Sequence, residues 1–177
     1  RLLVREIRAL FPACRIVWDP ILRTSSGADL LPDASRESLL EVAELVDVIL
    51  PNHYESRQLF GEITPGEWAK HTATAVIAKS AFCTEEDVTD RAYLPDGRLI
   101  ESTAPRLGED RHGTGCLYAT TLCAALARGE DYQEALHAAQ RATMHYRLGR
   151  GQGAPVRRLP LGRRMFVTHA TTTAEIL

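Results

Sequence analysis

Apolar and polar positions follow two different spacings along this chain, and the two spacings alternate. A helical spacing opens the chain, where Leu2, Leu3, Ile7 and Leu10 form one apolar side and charged residues form the other. Short continuous apolar runs separate the helical stretches that follow. These runs predict buried strands at 14–18, 47–51 and 74–79. The helical spacing predicts further helices at 36–46, 52–60, 65–72, 115–128 and 131–148.

The pattern changes after the third predicted strand. Residues 88–94 and 98–103 are strand-like, and the turn Pro95-Asp96-Gly97 between them predicts a β-hairpin. The earlier alternation of strands and helices predicts a mostly parallel sheet that is covered by helices on both faces. We therefore expect one α/β domain with a hairpin near an edge of its sheet.

Polar residues at the ends of the predicted strands indicate where a ligand binds. Asp19 ends the first strand, Asn52 and Glu55 follow the second, and the turn 112–116 precedes a helix. In mostly parallel sheets, ligands lie beyond the carboxyl ends of the strands. The sequence therefore predicts one site at this edge of the sheet.

Composition limits the kinds of molecule that this site is expected to bind. The 177 residues include 21 basic and 23 acidic side chains, and the net charge of -2 provides no electrostatic footprint for nucleic acid or an anionic membrane. The four cysteines show neither the density of a disulfide scaffold nor the spacing of a metal site. No apolar stretch approaches transmembrane length. We expect a cytoplasmic protein that binds a small molecule and neither nucleic acid nor a membrane.

The segment His112-Gly113-Thr114-Gly115-Cys116 joins a glycine-rich turn to a predicted helix. The first N–H groups of a helix lack intrahelical partners, and the helix dipole places partial positive charge there, so this end favours an anion. The two glycines allow the backbone to approach a phosphate closely. The same helix end favours the thiolate form of Cys116. A base beside a phosphate indicates phosphoryl transfer.

The same segment has a simpler interpretation that the residues leave open. A Gly-Thr-Gly turn is a common way to begin a helix, and Thr114 would then be only the N-cap. Cys116 would be a small residue of the core, since cysteine often packs as one.

Four segments carry a family likeness when they are taken in order: Trp18-Asp19-Pro20-Ile21, Leu50-Pro51-Asn52-His53-Tyr54-Glu55, Lys79 and the segment 112–116. Together they resemble the hydroxymethylpyrimidine and phosphomethylpyrimidine kinase family, which belongs to the ribokinase-like superfamily. The likeness extends to about Leu148. Most ribokinase-like sugar kinases have aspartate where Cys116 stands. A cysteine there is similar to the pyrimidine kinases and to certain pyridoxal kinases.

The resemblance implies a ribokinase-like three-layer αβα sandwich and an ATP- and Mg2+-dependent kinase. The implied substrates are hydroxymethylpyrimidine and its monophosphate, in thiamine biosynthesis, and the implied assembly is a homodimer. Gly113, Thr114 and Gly115 would form an anion hole for the transferring phosphoryl group. Cys116 would accept the proton of the substrate hydroxyl.

The metal and nucleotide ligands implied by the resemblance each have an alternative role. Asn52 and Glu55 would hold hydrated Mg2+, because this ion takes oxygen ligands and keeps several waters; their spacing is also that of a capping box, and both roles can coexist. Asp19 would face the metal or the phosphates, or else be a turn residue. Lys79 would reach a nucleotide phosphate, or else be a solvated lysine. The family usually has a glycine pair after this lysine, whereas Ser80 follows here.

The likeness covers only the later part of the family. We expect residues 1–148 to form a kinase domain that lacks its N-terminal portion, because nothing here matches the family's Gly-Asp-Ser-type segment. Residues 149–177 are expected to form a C-terminal tail, either solvated or partly packed. Three other hypotheses stay open: a pyridoxal kinase of the related type, a thiol-nucleophile transferase that uses Cys116, and a non-catalytic fragment.

Overall fold

A computed structural model describes residues 1–24, 27–109 and 111–149 and the strand 165–169. The helices are α1 (Leu2–Leu10), α2 (Arg36–Ala43), α3 (His53–Phe60), α4 (Pro65–His71), α5 (Thr114–Ala127) and α6 (Tyr132–Arg147). The strands are β1 (Arg15–Asp19), β2 (Val48–Ile49), β3 (Ala75–Cys83), β4 (Asp87–Tyr93), β5 (Leu99–Pro105) and β6 (Met165–His169). Within these ranges, no helix has both the length and the apolar character needed to cross a membrane.

The described strands form one sheet in the order β5-β4-β3-β2-β1-β6. Three neighbouring pairs are parallel: β3 with β2, β2 with β1, and β1 with β6. Strands β4 and β5 form an antiparallel hairpin, and β4 pairs antiparallel with β3. The predictions of a mostly parallel sheet and of a hairpin near its edge are confirmed.

Successive residues of the central strands enter two separate cores, because side chains alternate across a strand. Ile16 and Trp18 pack with residues of α1, α2, α3 and α4 on one face of the sheet. Val17, between them, packs with residues of α5 and α6 on the other face. Helices therefore cover both faces, and the predicted three-layer αβα architecture is confirmed.

Side chains determine where most of the helices begin. Ser35, Asn52, Thr64 and Asp131 each accept a hydrogen bond from a backbone N–H group in the first turn of the helix that follows. Helix α5 begins differently. Its N-cap is Gly113, which has a left-handed φ of 88°, and no side chain in the described part of the chain caps it. The first turn of α5 therefore keeps backbone donors available.

Every helix and strand predicted from the sequence occurs, but two of them end three or more residues from the predicted position. Helix α2 ends at Ala43, where the buried hydroxyl of Thr74 lies 3.1 Å from the Ala43 carbonyl oxygen and 2.8 Å from that of Val46. Strand β3 continues to Cys83, through an irregularity in its pairing with β4 that begins after Ala78.

Strand β6 was not predicted from the sequence. Its backbone pairs in parallel with β1, and Arg15 and Asp19 lie opposite Met165 and His169. The proposed kinase domain of residues 1–148 contains all the other described elements. Apart from Gly149 and β6, the predicted tail lies outside the described residues.

Candidate active site at the carboxyl edge of the sheet

Three neighbouring parallel strands bring predicted site residues to one edge of the sheet. Asp19 is the last residue of β1, and Lys79 lies in β3. Asn52 follows β2, which lies between these strands, and the backbone N–H of Lys79 donates to the carbonyl of Pro51, 2.9 Å away. The structure therefore places Asp19, Asn52 and Lys79 side by side.

Lys79 and Asp19 form a largely buried ion pair. The Lys79 Nζ atom lies 2.5 Å from Asp19 Oδ1, and the two side chains are only 13% and 1% exposed. A buried carboxylate is tolerated when it has a cationic partner, and Lys79 supplies one. The simpler interpretation of Lys79, as a solvated lysine at a strand end, is therefore wrong.

Asn52 and Glu55 form a complete capping box at the start of α3. Asn52 Oδ1 accepts from the Glu55 N–H at 2.9 Å, and Glu55 Oε2 accepts from the Asn52 N–H at 2.7 Å. Glu55 is nevertheless buried, and burial raises the pKa of its carboxyl group, although the positive charge of Lys79 opposes that shift. The structure thus shows the capping role, and the metal-binding role of the pair stays a prediction.

The turn before α5 holds its backbone by local hydrogen bonds. The Thr114 hydroxyl donates to the Arg111 carbonyl at 2.6 Å, and the Thr114 N–H donates to the same oxygen at 3.3 Å. Thr114 is the first helical residue rather than the N-cap, so the interpretation of Thr114 as a cap is wrong. Cys116 is exposed in the first turn, so it is not a core residue.

The end of α6 fixes the same turn from the other side. The Tyr146 hydroxyl donates to the His112 carbonyl at 2.8 Å. The Arg147 guanidinium donates to the carbonyls of Gly108 and Glu109, at 3.2 and 3.3 Å. Helix α6 therefore positions the residues that lead into the first turn of α5.

A cavity of about 240 Å³ connects the strand ends with the first turn of α5. The predicted site residues that line it are Asn52, Lys79, Thr114 and Gly115. The other predicted site residues, Asp19, Glu55, Gly113 and Cys116, do not line it. Much of the remaining wall is apolar and includes Val88, Ala104, Pro105, Leu107 and Met144. The cavity therefore combines polar groups with apolar surface in its lining.

The cavity also contains polar residues that the sequence analysis missed. Asp90, Gln140 and Tyr118 line it and are almost completely buried. Burial raises the pKa of Asp90, against hydrogen bonds that lower it. Burial also raises the pKa of Tyr118, and the charge of Asp90 adds to this shift, although the Tyr118 hydroxyl has no hydrogen bond of ordinary geometry among the described residues.

The signal for Asp90 was present in the strand pattern. Val88, Asp90, Ala92 and Leu94 alternate with residues of the opposite face, so Asp90 is a charged residue in an otherwise apolar row. Among the described residues, no three His, Cys, Asp or Glu side chains come together as a metal-binding group.

The three-layer fold, with the open start of α5 at the edge of its sheet, defines the class of protein by architecture as an α/β protein. The chain belongs to the phosphomethylpyrimidine kinase family, whose model matches residues 2–154.

Curated relatives agree with this assignment. The chain is 33% identical, over 167 residues, to the hydroxymethylpyrimidine/phosphomethylpyrimidine kinase of Haemophilus influenzae, with 85% of this chain and 62% of the relative covered. It is also 33% identical, over 176 residues, to the thiamine biosynthesis multifunctional protein ThiED of Corynebacterium glutamicum, with 89% of this chain and 23% of the relative covered. The chain thus spans less than two thirds of the length of either relative.

Solved structures support the fold. An ADP complex of Bacillus subtilis pyridoxal kinase superimposes with a TM-score of 0.63 at 22% identity, over 80% of this chain and 55% of that one. The Staphylococcus aureus pyridoxal kinase in complex with AMP-PCP gives a TM-score of 0.62 at 21% identity, over 80% of this chain and 56% of that one.

Proposed function

We propose that this chain supplies the phosphate-binding half of an ATP- and Mg2+-dependent kinase that phosphorylates hydroxymethylpyrimidine and its monophosphate in thiamine biosynthesis. The observation that carries the proposal is that the uncapped first turn of α5 and the paired Lys79 line one cavity. Membership of the phosphomethylpyrimidine kinase family supports the reaction.

The first turn of α5 is suited to bind the transferring phosphoryl group. Gly113 turns the backbone left-handed, and a side chain added at Gly115 would meet no other atom within 4 Å, so the space in front of its backbone is open. Backbone N–H groups at a helix start donate to phosphate oxygens, and the helix dipole adds to the attraction. Donors that are already in place stabilise the charge that develops on those oxygens during transfer.

Cys116 is the proposed base. Its thiol is exposed in the same turn, one residue from the wall of the cavity. As a thiolate it accepts the proton of the substrate hydroxymethyl group, the freed oxygen attacks the terminal phosphorus of ATP, and ADP leaves. The start of α5 thus provides both the N–H groups that bind the phosphoryl group and the base that accepts the proton.

Asp19, Asn52 and Glu55 are the residues that would hold Mg2+. They offer only oxygen donors, which are the ligands this ion prefers, and a hydrated ion needs only one or two carboxylates from the protein. The donor set therefore fits. When bound, Mg2+ neutralises phosphate charge, and Lys79, between Asp19 and the cavity, adds a second cation on the same side.

The apolar part of the cavity lining is suited to the base of the nucleotide. It consists of apolar side chains from β4, β5 and α6 and from the loop that follows β5. Ligand sites commonly combine an apolar wall with a few polar groups that fix orientation. The related pyridoxal kinase structures contain ADP and AMP-PCP, which supports a nucleotide as a ligand of this chain.

Pyridoxal is the second candidate substrate. The observation that favours it is that the superimposed structures named above are pyridoxal kinases. Product mass spectrometry after incubation with Mg-ATP and hydroxymethylpyrimidine, its monophosphate or pyridoxal separates the two candidates. We expect phosphate on the pyrimidines, whereas phosphate on pyridoxal alone would select the second candidate.

The kinase assay needs a control for the length of the chain. The intact mass of each sample is recorded, and the same assay is run on this chain and on a longer form that spans the full length of the relatives. The Cys116→Ala variant of the longer form should lose phosphoryl transfer while it keeps its fold. Undiminished turnover in that variant would exclude Cys116 as the base.

A homodimer and a cytoplasmic location are proposed from the family resemblance alone. Size-exclusion chromatography with light scattering tests the assembly, and a mass of twice 19.6 kDa for this chain is the expected result. A monomer at micromolar concentration would exclude the homodimer for this chain.

A further inference from the structure

Three buried polar side chains from different elements form one hydrogen-bonded cluster beside the cavity. Asp90 of β4, Ser102 of β5 and Gln140 of α6 are 3%, 2% and 5% exposed. Gln140 Nε2 donates to Asp90 Oδ2 at 2.9 Å and to the Ser102 carbonyl at 2.8 Å, while the Ser102 hydroxyl donates to Gln140 Oε1 at 2.6 Å. The amide group of Gln140 is thus fixed, and it holds the Asp90 carboxylate in one orientation.

The other oxygen of that carboxylate holds a left-handed residue. Asp90 Oδ1 accepts from the backbone N–H of Ser80 at 2.7 Å. Ser80 has a φ of 50° and is the one described residue other than glycine with positive φ. Such a conformation is unfavourable for a residue with a Cβ atom and persists only where its surroundings enforce it. Asp90 provides the enforcing contact.

Ser80 directly follows Lys79, so the same contact affects the lysine. The peptide group before the Lys79 Cα atom is fixed by its N–H donating to the Pro51 carbonyl at 2.9 Å. The peptide group after it carries the Ser80 N–H and is fixed by Asp90. Both sides of the Lys79 Cα atom are therefore held, and this sets the direction in which its side chain leaves the strand.

We propose that Asp90, held by Gln140, is a positioning residue that directs the Lys79 ammonium group to Asp19 at the edge of the cavity. Asp90 acts through the backbone of Ser80 and does not itself contact Asp19. The role of this lysine position in phosphate binding rests on the proposed function. The position of the Lys79 ammonium group itself does not depend on that function, and it can be tested without a nucleotide.

The chain is well suited to the test because it contains two lysines, Lys70 and Lys79. Lys70 is exposed and serves as an internal reference. The folded protein is treated briefly with a small amount of acetic anhydride, and mass spectrometry gives the rate of acetylation at Lys79 relative to Lys70. We expect a low ratio in the unmodified protein, and a ratio several-fold higher in Asp90→Ala, because the Ser80 N–H then loses its acceptor and Lys79 is free to leave Asp19.

A rescue variant separates positioning from a change of charge. Removal of the Asp90 charge could raise the reactivity of Lys79 by favouring its neutral amine. Adding Ser80→Gly to Asp90→Ala should return the ratio to nearly that of the unmodified protein, because glycine adopts positive φ without help. An electrostatic effect would persist in the double variant.

Ser102→Ala is the matched control for stability. It removes a buried hydroxyl of the same cluster that does not touch Ser80, so the melting temperature should fall while the acetylation ratio stays unchanged. The proposal is overturned if Asp90→Ala folds with an unchanged ratio, if Ser80→Gly fails to restore it, or if Ser102→Ala raises it equally.

A second comparison applies if Asp90→Ala does not fold. Ser80→Gly is then compared with the Ser80→Gly, Asp90→Ala double variant. Equal ratios support the proposal, and a higher ratio in the double variant overturns it. Failure of the chain to bind ATP would contradict the proposed function, but it would not change the acetylation ratios in either comparison.

Discussion

The ammonium nitrogen of Lys79 lies 2.5 Å from Oδ1 of Asp19, so one ion pair joins β3 to β1 across β2. The pair lies where the carboxyl ends of these strands meet the cavity. Because both side chains are largely removed from water, loss of either partner takes this counter-ion from the other buried charged group. Removal of one partner alone is therefore expected to destabilise the sheet.

The first prediction concerns the stability of this pair. Lys79→Met should lower the free energy of unfolding by about 3 kcal/mol, because the Asp19 carboxylate loses its cation. Asp19→Asn added to Lys79→Met should recover part of the loss, because the pair is then neutral. Urea denaturation of the two single variants and the double variant measures the coupling.

The exposed Lys70 provides the control for this measurement. Lys70→Met should change the free energy of unfolding by no more than about 0.5 kcal/mol. Equal losses in the two lysine variants, or strictly additive losses in the Asp19 and Lys79 variants, would contradict a stabilising pair.

The second prediction concerns the contact between α6 and the turn before α5. Tyr146→Phe removes the hydroxyl that donates to the His112 carbonyl. The free energy of unfolding should fall by about 1 kcal/mol or less, since a partly exposed carbonyl can bond to water instead. The affinity for Mg-ADP should fall several-fold, because the backbone donors at the start of α5 lose part of their support. Isothermal titration calorimetry measures this affinity.

Tyr54→Phe is the matched control, because Tyr54 is exposed on α3 and does not line the cavity. It should leave the affinity for Mg-ADP unchanged. The supporting role of Tyr146 is rejected if both phenylalanine variants bind Mg-ADP as tightly as the unmodified chain does.

Local patterns predicted most of the fold. Asp19 and Asn52 were placed at strand ends because each follows a short apolar run, and parallel pairing then brings them to one edge. The hairpin was predicted from its turn residues, and Glu55 from the spacing of a capping box. Each of these signals comes from residues that lie close together along the chain.

The parts that were missed depend on contacts between distant segments. Asp90 and Gln140 are 50 positions apart, and only the packing of α6 on the hairpin brings them together. The positive φ of Ser80 depends in turn on Asp90. Strand β6 pairs with β1, from which it is separated by most of the sequence. The short run of residues in β6 does not by itself indicate that it belongs to the sheet.

The third prediction concerns the accessibility of the thiols. Cys83 and Cys116 are exposed, whereas Cys14 and Cys123 are buried. Iodoacetamide should therefore modify the first two several-fold faster than the second two, as measured by peptide mass spectrometry. Mg-ATP should protect Cys116, which lies in the first turn of α5, and leave Cys83 reactive. Equal protection of both thiols would contradict a nucleotide at the start of α5.

The last prediction concerns the pH dependence of stability. Burial, with a smaller contribution from Cys14, raises the pKa of Cys123 from 9.0 to about 11. The unfolded chain therefore loses this proton near pH 9, while the folded chain keeps it until about pH 11. The resulting stabilisation is fully present below pH 9 and is lost as the pH rises through this window, by on the order of 2 kcal/mol. Urea denaturation between pH 8 and 11 under reducing conditions should show a steeper decline for the unmodified chain than for Cys123→Ala. Cys83→Ala, at an exposed position, should follow the unmodified chain, and parallel curves for all three proteins would refute the shift.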